Sequence, residues 1–292
     1  MRSFMLKSIK TKFYRVGGIV LGIILTYIIG SVFLFSFFKV NSMSMYPTLE
    51  PGDIIVVWKP VLGARIYNFL VKNPSKPLHV VRVLGKRDIE RNDIVVFNFP
   101  YENWNKWEKI KMNSTMYYVK RCIALPGDSI YIDKGIYKIK GLKKNLGNIV
   151  MQRHLAEINI PHDSKDFFYK TLLYDTTFRW NIMQFGPLYI PKKGHSIPLN
   201  RKNFILYKNI IEWETQMHIS CSKEKIMLNN IFVDRYKFQH DYYFMAGDNV
   251  SSSIDSRHWG LVPKEFIVGK VCLILNSVGN DGIKWNRVLH TI

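Results

Sequence analysis

Two serines two positions apart, together with one distant lysine, are the residues of this sequence whose types suit covalent chemistry. Ser42 and Ser44 lie in Ser-Met-Ser-Met-Tyr-Pro-Thr-Leu (42–49), and Lys120 lies in Tyr-Tyr-Val-Lys-Arg-Cys (117–122). A serine hydroxyl is a poor nucleophile until a neighbouring base takes its proton. Because an uncharged lysine can be that base, the two segments together indicate a Ser/Lys hydrolase.

The sequence around Lys120 favours an uncharged amine. Lys120 interrupts an otherwise apolar strand, in which alternation places it on the face opposite Val119 and Arg121. Burial disfavours the ammonium form, and the lysine pKa must fall by about two units from roughly 10.4 to give a base near neutral pH. Without the Ser44 segment, a lysine that protects an exposed strand edge from aggregation would explain the same pattern.

A third polar segment lies near the C-terminus. It begins with Ala-Gly-Asp-Asn (246–249) and continues through Ser253, Asp255, Arg257 and His258. Its Asp-Asn pair is typical of an ordinary turn, which explains these two residues as well as a direct role does. We interpret His258 as a packing residue.

Ser42 and Ser44 follow closely on an apolar segment. Residues 16–38 contain no charge and are long enough to cross a bilayer core of roughly 30 Å as a helix. The preceding residues 1–15 carry five basic residues and no acid, which predicts a cytoplasmic N-terminus and a chain that lies outside the cytoplasm after Lys39. A cleavable signal peptide is the alternative, but its apolar run is usually shorter, at roughly 7 to 15 residues.

Short segments rich in Val, Ile, Tyr and Phe, separated by turn residues, predict a mainly β domain beyond the anchor. Examples are residues 54–58, 94–97, 117–125 and 266–275. Residues 59–90 and 129–240 interrupt this pattern, and the longer interruption predicts an inserted subdomain.

The composition fits a folded, membrane-associated protein. The chain of 292 residues is 47% hydrophobic and has a net charge of +20, which predicts attraction to anionic surfaces such as lipid headgroups or nucleic acid, unless a biased coding composition explains it. The sequence has no nucleic-acid motif, phosphate-binding glycine loop or metal-ligand pattern that would support a nucleic-acid-binding, nucleotide-binding or metal-binding protein. Three cysteines, Cys122, Cys221 and Cys272, allow at most one disulfide.

Taken in order behind the apolar segment, these motifs resemble the conserved boxes of bacterial type I signal peptidases. The likeness covers the anchor and most of residues 40–58, 91–97, 117–130 and 244–272. It implies a membrane-bound serine endopeptidase without a cofactor or metal, with Ser44 as nucleophile and Lys120 as general base. Ser42 and the Ser44 N–H would form the oxyanion hole.

Further roles are implied by the same resemblance. Ser253 would hydrogen-bond and orient Lys120, and an ion pair between Asp255 and Arg257 would hold Ser253 in place. Apolar residues would line shallow pockets for the small side chains of an Ala-x-Ala cleavage site, although each could equally be a core residue. These are Met45, Leu49, Tyr118 and Val119, with Val40, Ile55 and Val96 as neighbours.

The implied fold is a signal-peptidase-like β core with a β-rich inserted subdomain, tethered by one transmembrane helix. The predicted parts are a cytoplasmic segment (1–15), a transmembrane helix (16–38), a catalytic core (39–128 and 241–292) and an insertion (129–240). The implied partners are signal peptides of secreted preproteins and membrane lipid, and no nucleic acid. The implied location is the plasma (inner) membrane, with one span.

Two departures from the family pattern and two alternatives stand beside this prediction. Met43 stands where the family commonly has a small residue, and Val250 stands where it often has an arginine. The activity could therefore be lower, or the range of substrates narrower, than in the family. One alternative is a specialised Ser/Lys processing protease with another cut site. The other is a catalytically silent, membrane-anchored basic protein, for which Ser44→Ala and Lys120→Met would change nothing.

Overall fold

The computed structural model describes residues 2–67, 80–158, 171 and 177–292, with side chains from Lys12 onward. Parts of both predicted interruptions, 59–90 and 129–240, lie outside the described residues, as do the side chains of Arg2, Lys7 and Lys10.

The elements are numbered in chain order. The helices are α1 (Arg2–Phe33), α2 (Ile149–Glu157), α3 (Arg201–Thr215) and α4 (Ser256–Trp259). The strands are β1 (Phe35–Lys39), β2 (Asp53–Trp58), β3 (Arg65–Tyr67), β4 (Val80–Arg82), β5 (Ile94–Asn98), β6 (Tyr101–Asn103), β7 (Lys106–Ile110), β8 (Tyr117–Ala124), β9 (Ser129–Asp133), β10 (Ile136–Ile139), β11 (Gln184–Tyr189), β12 (Ser196–Pro198), β13 (Ile219–Ser222), β14 (Lys225–Leu228), β15 (Ile231–Phe232), β16 (Arg235–Lys237), β17 (Tyr242–Ala246), β18 (Val262–Pro263), β19 (Ile267–Gly279), β20 (Gly282–Ile283) and β21 (His290–Thr291). The predicted mainly β fold is confirmed.

The N-terminal apolar run forms a helix and then a strand. Its membrane-spanning candidate covers Lys12–Phe33, and none of that stretch is buried within the protein. The predicted span of 16–38 is wrong at its C-terminal end, because Phe35–Lys39 form β1 and pair with β2 in antiparallel fashion. Three phenylalanines in five residues favour a strand, and hydropathy does not distinguish such a strand from the end of an apolar helix.

The joint between α1 and β1 is short and hydrogen-bonded. Only Leu34 separates the two elements, and its carbonyl accepts from the Lys59 N–H at 2.9 Å. The Lys59 ammonium also donates to the Ser31 carbonyl of the helix at 2.5 Å. The helix is therefore fixed to the sheet at its C-terminal end.

One large sheet carries the sequence motifs. Its order is β1-β2-β19-β5-β8-β17-β18, and β20 and β21 pair with β19. These strands come from two stretches of the chain, 35–124 and 242–291. The long β19 pairs with β2 on one side and β5 on the other, so the C-terminal stretch joins the two halves of the N-terminal one.

The region between these stretches forms smaller sheets and helices. Its described strands make the sheets β10-β9-β11, β12-β16 and β13-β14-β15. It also contains α2 and α3. Each helix is preceded by an asparagine N-cap, Asn148 or Asn200, whose side chain accepts a hydrogen bond from a backbone N–H in the first turn. The sequence did not predict these helices.

Two hydrophobic clusters fill the interior. The smaller packs the segment after β1 against the sheet and includes Val40, Met45, Leu49, Ile55 and Val96. The larger is continuous from main-sheet residues such as Phe97 and Phe244 to Ile130, Tyr207 and Phe238 of the 129–240 region. That region therefore shares its core with the main sheet, and its division into a separate subdomain stays a prediction. Cys122, Cys221 and Cys272 are all free thiols.

Candidate catalytic site

Ser44 lies in a single 3₁₀ turn, Met43–Met45, between β1 and β2. The side chains of Met45 and Leu49 are fully buried on one side of this turn, and the Leu49 N–H donates to the Met45 carbonyl at 2.9 Å. Ser44 is partly exposed, and Met43 is exposed. Two buried apolar side chains thus hold the turn while its serine faces outward.

Lys120 lies in β8, in the interior of the sheet between β5 and β17. Its side chain is 2% exposed, and its amine and the Ser44 hydroxyl are hydrogen-bonded to each other. Burial lowers the pKa of Lys120 to about 8, while the more distant Asp255 and Asp248 raise it and Arg257 lowers it. The sequence-predicted pair is brought together, and the lowered pKa gives the amine a larger neutral fraction near neutral pH than an ordinary lysine has.

Ser42 stands beside this pair. Its hydroxyl oxygen is 3.2 Å from the Ser44 hydroxyl oxygen, and its side chain is exposed. A carbonyl attacked by Ser44 would therefore come within reach of the Ser42 hydroxyl. The predicted role of Ser42 in an oxyanion hole stays a prediction.

Ser253 is at the site, but one predicted contact is not formed. Its side chain is 1% exposed, and its hydroxyl bonds to no partner in the described part of the chain, so the predicted hydrogen bond to Lys120 is absent. A sequence motif places Ser253 on the right loop but does not set its rotamer. A Cβ at Gly247 would collide with both the Ser253 side chain and the Ser44 carbonyl, so glycine permits these segments to meet.

Asp255 and Arg257 form the predicted ion pair, and both side chains are fully buried. The guanidinium contacts the carboxylate through Nε and Nη2, each at 2.8 Å, and Nη2 also donates to the Ser253 carbonyl at 3.2 Å. The Asp255 carboxylate in turn accepts from the Gly247 N–H at 2.9 Å. The pair thus fixes both ends of the loop that contains Ser253.

His258 completes the same structure. Its ring nitrogen accepts from the Asp255 N–H at 3.2 Å, which closes a capping box at the start of α4. With 2% exposure it is a buried structural residue, which fits the packing role expected of it.

A second ion pair, between Arg121 and Asp248, escaped the sequence analysis. The Arg121 guanidinium contacts the Asp248 carboxylate at 2.7 and 2.5 Å, and the Thr48 hydroxyl donates to the same carboxylate at 2.5 Å. Asp248 therefore links three parts of the protein: β8, Thr48 in the segment after Ser44, and the Ser253 loop. An ordinary turn residue does not need these contacts. The sequence features that could have indicated this ion pair are the Lys-Arg in the strand and the Gly-Asp-Asn of the loop.

The four predicted pocket residues divide between the two cores. Val119 packs on the smaller cluster that contains Met45 and Leu49, whereas the Tyr118 ring stacks on Phe99 with 4.9 Å between centroids. Met45 and Leu49 have no exposed surface, and Tyr118 and Val119 are partly exposed. Contact of these residues with a substrate stays a prediction.

Comparison with known proteins gives a consistent result. The family model described as signal peptidase, peptidase S26, matches residues 13–276. The chain is 29% identical over 270 residues to a protein named signal peptidase I from Buchnera aphidicola subsp. Baizongia pistaciae, covering 86% of this chain and 74% of that protein. It is 28% identical over 255 residues to a protein of the same name from Pseudomonas aeruginosa, covering 84% and 66%.

Proposed function

Because this chain belongs to the signal peptidase family, peptidase S26, and is an enzyme that removes signal peptides, we propose that it does so with Ser44 as nucleophile and Lys120 as general base. The observation that supports this most is the hydrogen bond between the Ser44 hydroxyl and a buried amine whose pKa is lowered to about 8.

The reaction would proceed in two stages. Neutral Lys120 takes the proton of Ser44 as the Ser44 Oγ attacks the scissile carbonyl carbon, and the Ser42 hydroxyl and Ser44 N–H stabilise the negative oxygen that forms. The Lys120 ammonium returns the proton to the leaving amine, which breaks the peptide bond and leaves an ester on Ser44. Water then attacks this ester with Lys120 again as base, and the signal peptide leaves as a carboxylic acid.

The substrate would bind as an added strand beside Lys120. In the described sheet, β17 pairs with β8 only from Arg121 to Ala124, while β5 pairs with it from Tyr117 to Arg121. One backbone edge of residues 117–120 is therefore open toward the side of Ser44, and an extended peptide could pair there. Val119, which is partly exposed and lies in this segment, would offer apolar surface that suits the small side chains of an Ala-x-Ala-like site.

The membrane anchor supports the proposed location. Ser44 follows closely on the helix end at Phe33, so the reaction would take place near the surface of the bilayer. The basic residues in the N-terminal part of α1, before its apolar run, favour a cytoplasmic N-terminus, and therefore a catalytic core on the extracytoplasmic face of the plasma membrane. Anionic headgroups would attract the basic protein.

Cleavage of a preprotein with an Ala-x-Ala site, by full-length protein in detergent, tests this function. Wild type should cut after the second alanine, and Ser44→Ala and Lys120→Met should each cut at least about 10⁴-fold more slowly. Lys192→Met, a change of the same kind at an exposed lysine, should retain full activity.

Each remaining outcome points to another function. Cleavage only of preproteins with a different site would favour the specialised protease, and Met43→Gly should then broaden the range. Folded wild type that is inert on all such substrates would contradict the proposal.

A further inference from the structure

The segment 145–147 of the 129–240 region is bonded to the core through Asn92. The Asn92 side chain donates from Nδ2 to the Asn145 carbonyl at 3.1 Å and accepts on Oδ1 from the Gly147 N–H at 2.8 Å. Asn92 has a left-handed backbone, with φ of +74°. Asparagine tolerates that conformation better than other side chains, so this position combines a turn with a two-sided side-chain contact.

The backbone of Asn92 contacts the strand that carries Lys120. Its N–H donates to the Cys122 carbonyl at 2.7 Å, and its carbonyl accepts from Arg121 Nη1 at 2.8 Å. The same guanidinium holds Asp248, which accepts from the hydroxyl of Thr48, four residues after Ser44. The N–H of Asn249, the residue after Asp248, donates to the Ser44 carbonyl at 3.1 Å, so a continuous series of contacts runs from segment 145–147 to the turn that contains Ser44.

Segment 145–147 is itself held firmly. A Cβ at Gly147 would lie 3.0 to 3.2 Å from the Gln152, Tyr137 and Ile123 side chains, and Gln152 is fully buried. Gln152 donates to the Leu146 carbonyl at 2.6 Å and accepts from the Tyr137 N–H at 2.8 Å. The segment can therefore act as a fixed support for Asn92.

We propose that Asn92 is a positioning residue for the reaction: through Arg121 and Asp248 it couples segment 145–147 to the relative placement of Lys120 and Ser44. This inference rests on the proposed function. Without the Asn92 side chain, the turn before β5 loses its support, Arg121 and Asp248 can shift, and water gains access to Lys120. The amine then becomes easier to protonate and is less well aligned with Ser44.

The decisive variant is Asn92→Gly, because glycine keeps the left-handed backbone and removes only the side-chain bonds. In detergent, with the Ala-x-Ala preprotein, we expect kcat to fall by about 10- to 100-fold while KM changes little, as for other small misplacements of reacting groups. We also expect the rise of kcat/KM with pH to move to higher pH, because a more hydrated Lys120 keeps its proton longer. Asn92→Asp, which keeps the acceptor for the Gly147 N–H, should lie between Asn92→Gly and wild type.

The matched control is Asn230→Gly, at an exposed asparagine that also has a left-handed backbone, with φ of +66°. It should behave as wild type. A lower melting temperature for Asn92→Gly with wild-type kcat and pH profile would overturn the inference, since a merely structural residue behaves so. If Asn92→Gly does not fold, the same two readouts on Asn92→Asp decide.

The two proposals fail in different ways. Cleavage that requires Ser44 and Lys120 but ignores Asn92 overturns this inference alone. No cleavage by folded wild type overturns the proposed function and this inference with it.

Discussion

Lys120 and Arg257 are buried cations of one catalytic region, with 2% and 0% exposure, and they differ in their partners. Arg257 lies 2.8 Å from the Asp255 carboxylate, whereas the nearest described partner of the Lys120 amine is the neutral hydroxyl of Ser44. Burial lowers the pKa of both, but Asp255 more than offsets this for Arg257, whose pKa is raised. For Lys120 the more distant Asp255 and Asp248 offset the effect of burial only in part, and its pKa falls to about 8.

Burial alone therefore does not determine whether a base carries charge. The carboxylate in contact offsets the cost of burying the Arg257 guanidinium, which is charged in any case, and makes it a structural element. Lys120 has no carboxylate in hydrogen-bond contact within the described part of the chain, so its amine can lose its proton and act as an acceptor. The neighbouring Arg121, paired with Asp248, repeats the Arg257 arrangement one residue away from Lys120.

The largest expected effect is at the paired cation. Arg257→Met should lower the free energy of unfolding by about 3 to 5 kcal/mol, because it leaves the Asp255 carboxylate buried without its partner. Denaturant unfolding followed by tryptophan fluorescence measures this. A loss below about 1 kcal/mol would mean that the pair is not what holds the Ser253 loop.

The same substitution at the unpaired cation should have the opposite sign. The Lys120 pKa is about 8 in the folded protein and 10.5 in the unfolded chain, so below pH 8 the folded state bears the full cost of a buried ammonium, about 3 kcal/mol. Lys120→Met should be more stable than wild type by up to that amount at pH 7. The difference should shrink between pH 8 and 10.5, where the unfolded chain binds more protons. A difference independent of pH would refute the assigned Lys120 pKa.

The titration of Lys120 should also be visible in the pH dependence of cleavage, with a smaller change in free energy than in the two stability measurements. Because only the neutral amine accepts the Ser44 proton, kcat/KM should rise about tenfold for each pH unit below 8 and level off above it. Initial rates of preprotein cleavage across this pH range test the expectation. A rate that is already level at pH 6 would mean a lower pKa or a different base.

The smallest effect is expected at an exposed ion pair. Lys138 and Asp133 are 2.7 Å apart, but both side chains are more than 40% exposed. Asp133→Asn should leave the unfolding midpoint and activity at wild-type values, because water solvates either charge alone. A clear loss of stability would show that charge pairing matters here regardless of burial.

The sequence was most informative where the chemistry itself restricts the residue type. Lys120 could be found because a lysine within an apolar strand is costly unless it is neutral or paired, and Ser44 because a reactive serine needs such a base; the structure places the two in contact. The Asp255–Arg257 pair followed from the family motif. The mainly β fold followed from short β-branched and aromatic runs.

Features that depend on tertiary contacts were missed. Residues 35–38 were predicted to be membrane helix, since only their pairing with β2 makes them part of a strand. Asp248 read as a turn residue, because its partner Arg121 is 127 positions away in sequence. Ser253 lies close to the Ser44 segment, but its hydroxyl makes no hydrogen bond in the described part of the chain, since side-chain rotamers depend on packing that no motif encodes.

Because the joint between α1 and β1 is short, the length of the membrane anchor sets the position of the catalytic site relative to the membrane. One residue, Leu34, separates the helix from the sheet, and Lys59 is bonded both to Leu34 and to Ser31 of the helix, so the joint cannot absorb a change in the length of the helix. Each residue inserted into α1 would raise the reactive serine by about 1.5 Å and turn it by about 100° about the helix axis. The length of this one helix therefore determines both the height of Ser44 relative to the membrane and the direction from which a substrate chain can approach it.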